Sequence, residues 1–285
     1  MLNSVKSPLK YEVIPFGMSG SDAATALQAI LHKVSKYSPD LIIYAFLSGN
    51  DLRDSLRELY DLPFKPYYII NENRSLELDT SFSKYILKTK QGIIRKTHVF
   101  LRGASDLYSY IFYKVLPLTI EWISKKKSRI KPDNSKKKNV EQGTKEELGL
   151  NKWEILKIDP SNSYKKAWNI TEKIILKMKK YCDLIKANFI VIGITNAFQV
   201  QFNKDLNITP GYDLFHPENH MESFSKKSNI HYLALAKKFQ MLHKEKGLIF
   251  HGTKESPDGH WNATGHEYAA KFLAEFINEK GLLPK

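Results

Sequence analysis

Near its carboxyl end the chain reads SPDGHWNATGHEYAAKFLAEF, Ser256 to Phe276, with Asp258 and His260 two residues apart and His266 shortly after. A carboxylate beside a histidine can fix the imidazole tautomer and stabilise the imidazolium that forms when the ring takes a proton. The same side chains are nitrogen and oxygen donors for a metal ion, but their spacing fits no standard zinc pattern and no cysteine accompanies them. A third reading is a polar entry to the helix that follows, and His266 suits it, as a first-turn residue beside the loop. Two other stretches carry groups of use to chemistry. In LSGNDLRDS, Leu47 to Ser55, Asn50 stands just past an apolar run, where its carboxamide can donate into a cleft; Asp51 and Asp54 read as caps of the next short helix. In GMSGSD, Gly17 to Asp22, Gly20 can present a backbone N–H at a helix entry, with Ser21 or Asp22 as the cap. Ser19 lies on that same turn, where a nucleophile could stand.

These residues need elements to hold them. YEVIPF, Tyr11 to Phe16, has strand composition, and DAATALQAILHKVSKY sets Ala23, Leu27, Ile30, Leu31 and Val34 at helical spacing. LIIYAFL, Leu41 to Leu47, is a near-continuous apolar run of the kind that suits a strand buried on both faces. Strand, helix and strand in succession form a βαβ unit. YYIINENRSLEL reads as a hairpin with Asn73 near its turn, and SDLYSYIFYKVL as an aromatic-rich helix. TEKIILKMKKYCDLIK places Ile174, Ile175, Met178, Tyr181, Cys182 and Ile185 on one face with lysines opposite. NFIVIGIT and NIHYLAL read as strands, ALAKKFQMLHKEK as a helix, and Gly265 to about Asn278 as a closing helix. The expected class is α/β with a mostly parallel sheet, in which functional groups gather on loops at the carboxyl ends of strands. GMSGSD, SGND and SPDGH are three such loops.

The chain has 285 residues, 42% of them hydrophobic, which is enough for a substantial core. Its single cysteine, Cys182, excludes an internal disulfide. The net charge of +14 invites a nucleic-acid reading, but nine basic and two acidic residues fall between Ser124 and Lys145, half of the excess. That stretch lacks apolar periodicity and reads as part of a solvated basic loop, residues 124–150, so no specific nucleic-acid partner is expected. The opening residues hold no signal-peptide core and no window approaches a membrane span, so the chain as written reads as cytoplasmic.

The three loops, in this order, resemble the SGNH (GDSL-type) family of serine esterases. GMSGSDAATALQAI is similar to its glycine block, YSPDLIIYAFLSGNDLRDS to its Gly-x-Asn-Asp block, and SPDGHWNATGHEYAAKFL to its aspartate–histidine block. The resemblance runs from about Tyr11 to Ile277 and also covers KPYYIINENRSLEL, in a branch that carries an insertion there, here residues 66–118. It implies a single domain over 1–285 with the flavodoxin-like three-layer α/β/α sandwich, ester hydrolysis and no cofactor or metal. It implies His260 as general base, Asp258 as its orienting carboxylate, and the Gly20 N–H and Asn50 side-chain amide as oxyanion-hole donors. The substrate class implied is a carbohydrate O-acetyl group or another short acyl ester, taken as a small molecule or as part of a glycan.

Two features depart from the family pattern. Asp-x-His is one residue shorter than the common Asp-x-x-His. The nucleophile's Gly-Asp-Ser block and its strand are not found: ten residues precede YEVIPF, with Ser4 and Ser7 in a setting that has neither strand nor glycine turn. The first strand and the nucleophile are therefore expected to be missing, which would leave a sheet edge open, and an upstream signal or anchor would place the protein in the cell envelope. Ser19 aligns with the glycine block instead. A non-catalytic glycan- or ester-binding relative, an O-acyltransferase using the same residues, and a basic nucleic-acid-binding α/β protein are the alternatives.

Overall fold

The computed structural model describes residues 10–18, 20–62, 65–81, 101, 154–201, 210–254, 256 and 259–284. The chain divides into two compact units, Met1–Leu62 with Pro66–Asp79 and Asn151–Lys285, and Pro63–Lys65 with Thr80–Leu150. The helix expected at SDLYSYIFYKVL and the basic loop lie outside the described residues. Every element named below belongs to the first unit.

In chain order the elements are α1 (Ala23–His32), β1 (Leu41–Phe46), α2 (Ser48–Asp54), β2 (Tyr67–Ile70), β3 (Leu76–Asp79), α3 (Asn162–Leu184), β4 (Asn188–Gly193), α4 (Ala197–Val200), α5 (His216–Lys227), β5 (His231–Ala234), α6 (Ala236–Lys246) and α7 (Ala263–Lys280). β1, β4 and β5 form a three-stranded sheet in the order β1-β4-β5, with both pairings parallel. β2 and β3 form the expected hairpin, Tyr67 opposite Asp79. Its turn is closed by the Asn71 side chain, which accepts from the Ser75 N–H at 3.0 Å, and Arg74 adopts φ 58°. The fold is α/β with a parallel main sheet and a small antiparallel one.

Each face of the sheet has its own apolar group. Ile42, Tyr44 and Phe46 of β1 join Phe189 and Val191 of β4 in one core with α1 and α3. Ile192 and Leu233 pack with α6 and α7 residues such as Phe239 and Ala269, and Ile190 packs with Ile277. α3 contributes Ala167, Ile174, Ile175, Met178 and Cys182, the helical spacing legible in the sequence, all fully buried. Burying a side chain of the Ile or Met kind stabilises by roughly 1.5–3 kcal/mol before conformational entropy is set against it. Burial pushes the Cys182 thiol up to about 12. We therefore expect Cys182 to resist Ellman's reagent in the native protein and to react once after denaturation; a fast native reaction would contradict its packing.

Two expectations from the sequence need correction. Tyr11–Phe16 forms no strand, and Val13 is 78% exposed. Strand composition alone does not make a strand, because the backbone groups of an extended segment need a partner to pair with. β1 is also not buried on both faces. It alternates, with Ile43 and Ala45 exposed, because the apolar group of α6 and α7 gathers over β4 and β5. β4 has strands on both sides and is buried from Phe189 to Gly193. The other edge of β1 pairs with no strand among the described residues. Among the described residues, no helix is long and apolar enough to cross a membrane.

Candidate active site

The sequence-predicted residues stand on three connections. The first is the entry to α1. Gly20 takes φ +73°, a backbone state that glycine adopts freely, and Asp22 is the N-cap, accepting from the Thr25 N–H at 2.9 Å. Ser19 lies outside the described residues. The second is the exit from β1. Here Ser48 begins α2 at once, and Asn50 is exposed in its first turn. Asp51 is not a cap of the expected kind. Its buried carboxyl reaches back to the strand exit, where Oδ2 accepts from the Leu47 N–H at 3.0 Å and from the Tyr44 hydroxyl at 2.8 Å. Asp54 pairs with Arg53 at 2.7 Å. Burial pushes the Asp51 carboxyl up to about 8, and the negative charge of Asp22 adds to the shift. That charge also raises Tyr44, after burial and Asp51 itself.

The third connection precedes α7. His251 and Trp261 form an antiparallel bridge, and the His260 carbonyl accepts from the Gly252 N–H at 3.1 Å. His260 therefore rises from the base of a small hairpin with its residue exposed. Asp258 lies outside the described residues. The polar helix entry is the work of another residue. Asn262 accepts from the Gly265 N–H at 3.0 Å, and its amide donates to the Ile249 and Gly252 carbonyls at 2.9 and 3.1 Å. His266 is an exposed first-turn residue whose ring meets the Trp261 ring edge-on at 5.7 Å. Among the described residues, no group of three or more His, Cys, Asp or Glu side chains is arranged to hold a metal ion.

Four residues that sequence pattern alone does not mark, Thr195, Asn196, Gln199 and His251, join or brace these connections. Thr195 and Asn196 follow Ile194, the first residue past β4. Thr195 accepts from the Trp261 indole N–H at 2.7 Å, and its hydroxyl lies 2.8 Å from Nε2 of His251. The other ring nitrogen, Nδ1, lies 2.8 Å from the Gly259 carbonyl. A carbonyl only accepts, so Nδ1 carries a proton, and the Thr195 hydroxyl is the partner of Nε2. The order hydroxyl, imidazole, acceptor is that of a nucleophile, a base and its orienting group. Yet Thr195 is 2% and His251 1% exposed, so no substrate reaches them; they clamp the hairpin that carries His260.

Asn196 faces the other way. Its amide donates to the Ser48 hydroxyl at 3.3 Å and to Oε1 of Gln199 at 3.0 Å. Gln199 Oε1 also accepts from the Asn196 N–H at 3.1 Å. The Gln199 amide donates to the buried Glu218 carboxyl at 2.9 Å and to the Leu214 carbonyl at 3.1 Å. A Cβ on Gly49 would sit 3.0 Å from Asn196 Oδ1, so the missing side chain at Gly49 permits this approach. The signal that could have found Thr195 and Asn196 is the one that drew attention to SGND: polar residues directly after a buried apolar strand.

Two consecutive residues at the carboxyl end of β4 thus contact the segment that carries Asn50 on one side and the segment that carries His260 on the other. The arrangement places two exposed residues, Asn50 and His260, at one end of a parallel sheet. Comparison with known proteins finds no matching family, no matching curated sequence and no matching solved structure.

Proposed function

We propose that the protein is an SGNH-type hydrolase of ester bonds, acting on a carbohydrate O-acetyl group or another short acyl ester. In this reading His260 takes the proton of the attacking hydroxyl and later returns it to the leaving alcohol. Asp258 orients the imidazole, and the Gly20 N–H and Asn50 amide hold the oxyanion. The observation that carries the reading is the Thr195–Asn196 junction, which ties the supports of Asn50 and His260 to a single strand end. The finer fold in this reading is the three-layer α/β/α sandwich. Apolar groups on both faces of the sheet support it, and the edge of β1 that pairs with no strand among the described residues is where it would accept a further strand.

The chemistry suits these residue types. Attack on an ester carbonyl moves an electron pair onto its oxygen, and donors already aimed at that oxygen lower the barrier without reorganising. Serine needs an adjacent base because its hydroxyl is a weak nucleophile at its own pKa. The attacking serine itself is not assigned.

The test is hydrolysis of p-nitrophenyl acetate and of acetylated saccharides, with fluorophosphonate labelling and peptide mapping to locate the serine. Asn50→Ala should lower kcat by about 100-fold, the scale of losing one oxyanion donor. Saturable binding of an acetylated saccharide with neither turnover nor labelling would replace this reading with that of a binding protein.

A further inference from the structure

We propose that Asn196 is a positioning residue for Asn50, setting the α2 entry from which the Asn50 amide is presented. The inference rests on the hydrolase reading, and it adds a residue that the three sequence blocks do not contain. Asn50 is exposed and sits in a helix of only seven residues, so its own packing does little to fix it. The residues just before it are held from the side. Ser48 is buried and takes a hydrogen bond from the Asn196 amide, and Gly49 leaves only enough room for Asn196 Oδ1. Asn196 is fixed in turn through Gln199, which is fully buried and anchored on Glu218 and the Leu214 carbonyl.

Backing of this kind suits an oxyanion donor, because the donor must already point at the place where charge will develop. Loss of the backing lets the α2 entry wander, and the penalty falls on the transition state more than on the bound ester. The Asn196 carboxamide is turned to Ser48 and Gln199, so it holds the donor's frame and not the ester.

The experiment uses the full chain. Hydrogen exchange is followed in the peptide spanning residues 47–55 for the wild type, Asn196→Ala and Ser48→Ala, beside reference peptides in β4 and α7. Exchange of the Gly49–Asp51 amides should accelerate about tenfold in Asn196→Ala, with the references unchanged. Unchanged exchange at residues 49–51 would overturn the proposal. If Asn196→Ala does not fold, Ser48→Ala is judged by the same criterion, since it removes only the accepting hydroxyl.

Kinetics supply the second readout. With an active wild type, Asn196→Ala should lower kcat about tenfold with KM within about twofold at an unchanged unfolding midpoint. A raised KM with intact kcat would assign Asn196 to substrate binding and overturn the positioning role. Gly49→Ala should be impaired alone and no worse than Asn196→Ala in the double variant, because the crowded atom is gone; strictly additive losses would count against the proposal. A wild type that hydrolyses no ester defeats the hydrolase reading, and with it the role toward an oxyanion, while the exchange result separately decides whether Asn196 holds the α2 entry.

Discussion

His260→Ala is expected to lower kcat/KM for p-nitrophenyl acetate by a factor of roughly 100 to 10,000, the range that a positioned general base contributes. The unfolding midpoint should stay where it is. His260 is exposed, and the contact the structure gives its backbone, from the Gly252 N–H to its carbonyl, survives replacement by alanine. Exposed substitutions of this kind usually shift stability by less than about 0.5 kcal/mol. The informative control is the neighbouring histidine. His251 is buried, with one ring nitrogen at Thr195 and the other at the Gly259 carbonyl, so His251→Ala removes both contacts and the packing of a buried ring. Each lost hydrogen bond costs about 1 kcal/mol, so the variant should lose stability as well as rate. Two histidines nine residues apart therefore have separable expected signatures: a rate effect alone for the proposed base, His260, and both effects for His251. Equal rates for wild type and His260→Ala would remove His260 from the mechanism.

Asp51→Asn is expected to flatten the dependence of stability on pH between about 4 and 8 and to leave the protein more stable than wild type at pH 8. The Asp51 carboxyl is buried, and desolvation pushes it to about 8 from an ordinary 3.8. The folded chain thus holds a proton there that the unfolded chain releases at a lower pH. Stability is fully present below the unfolded value and is lost as pH rises through the folded one, by up to ~1.4 kcal/mol per pH unit for one group. Asparagine mimics the protonated acid. Both hydrogen bonds, from Tyr44 and Leu47, end on a single oxygen, which the amide oxygen can replace. Glu218 is pushed to about 8 for the same reason and stays in the variant, so the difference between the two proteins isolates Asp51. Urea unfolding at several pH values measures it, and parallel curves for the two proteins would refute the assignment. The state of Asp51 also bears on the site. A neutral carboxyl next to Asn50 places no negative charge beside the amide that we propose as an oxyanion donor.

The sequence made some features legible and hid others for identifiable reasons. The buried face of α3 was plain because helical spacing repeats over several turns. β4 was plain as a strand because its apolar run has strand length and β-branched residues. YEVIPF misled because its composition favours a strand, whereas a strand exists only with a neighbour. LIIYAFL misled in part because period and hydrophobicity do not say how far the covering helices extend. Asp51 looked like a cap because aspartates at helix starts generally are. Its reach back to Tyr44 and Leu47 depends on the tight passage from β1 into α2.

For the candidate site, the sequence by itself determined which groups stand beside the buried elements: Gly20 before α1, Asn50 after β1, His260 before α7. That much follows from local pattern, since a polar residue beside a buried element has a short list of places to be. That Asn50 lies in a helical turn and not a loop came from the structure. The tertiary structure alone decided what joins them. Thr195 and Asn196 reach Trp261 and Ser48 across 66 and 148 residues of chain, and Gln199 reaches Glu218 across 19. No periodicity encodes such contacts. They exist because parallel strands bring distant loops to one end of a sheet, and because buried polar groups must then find partners among whatever lies there.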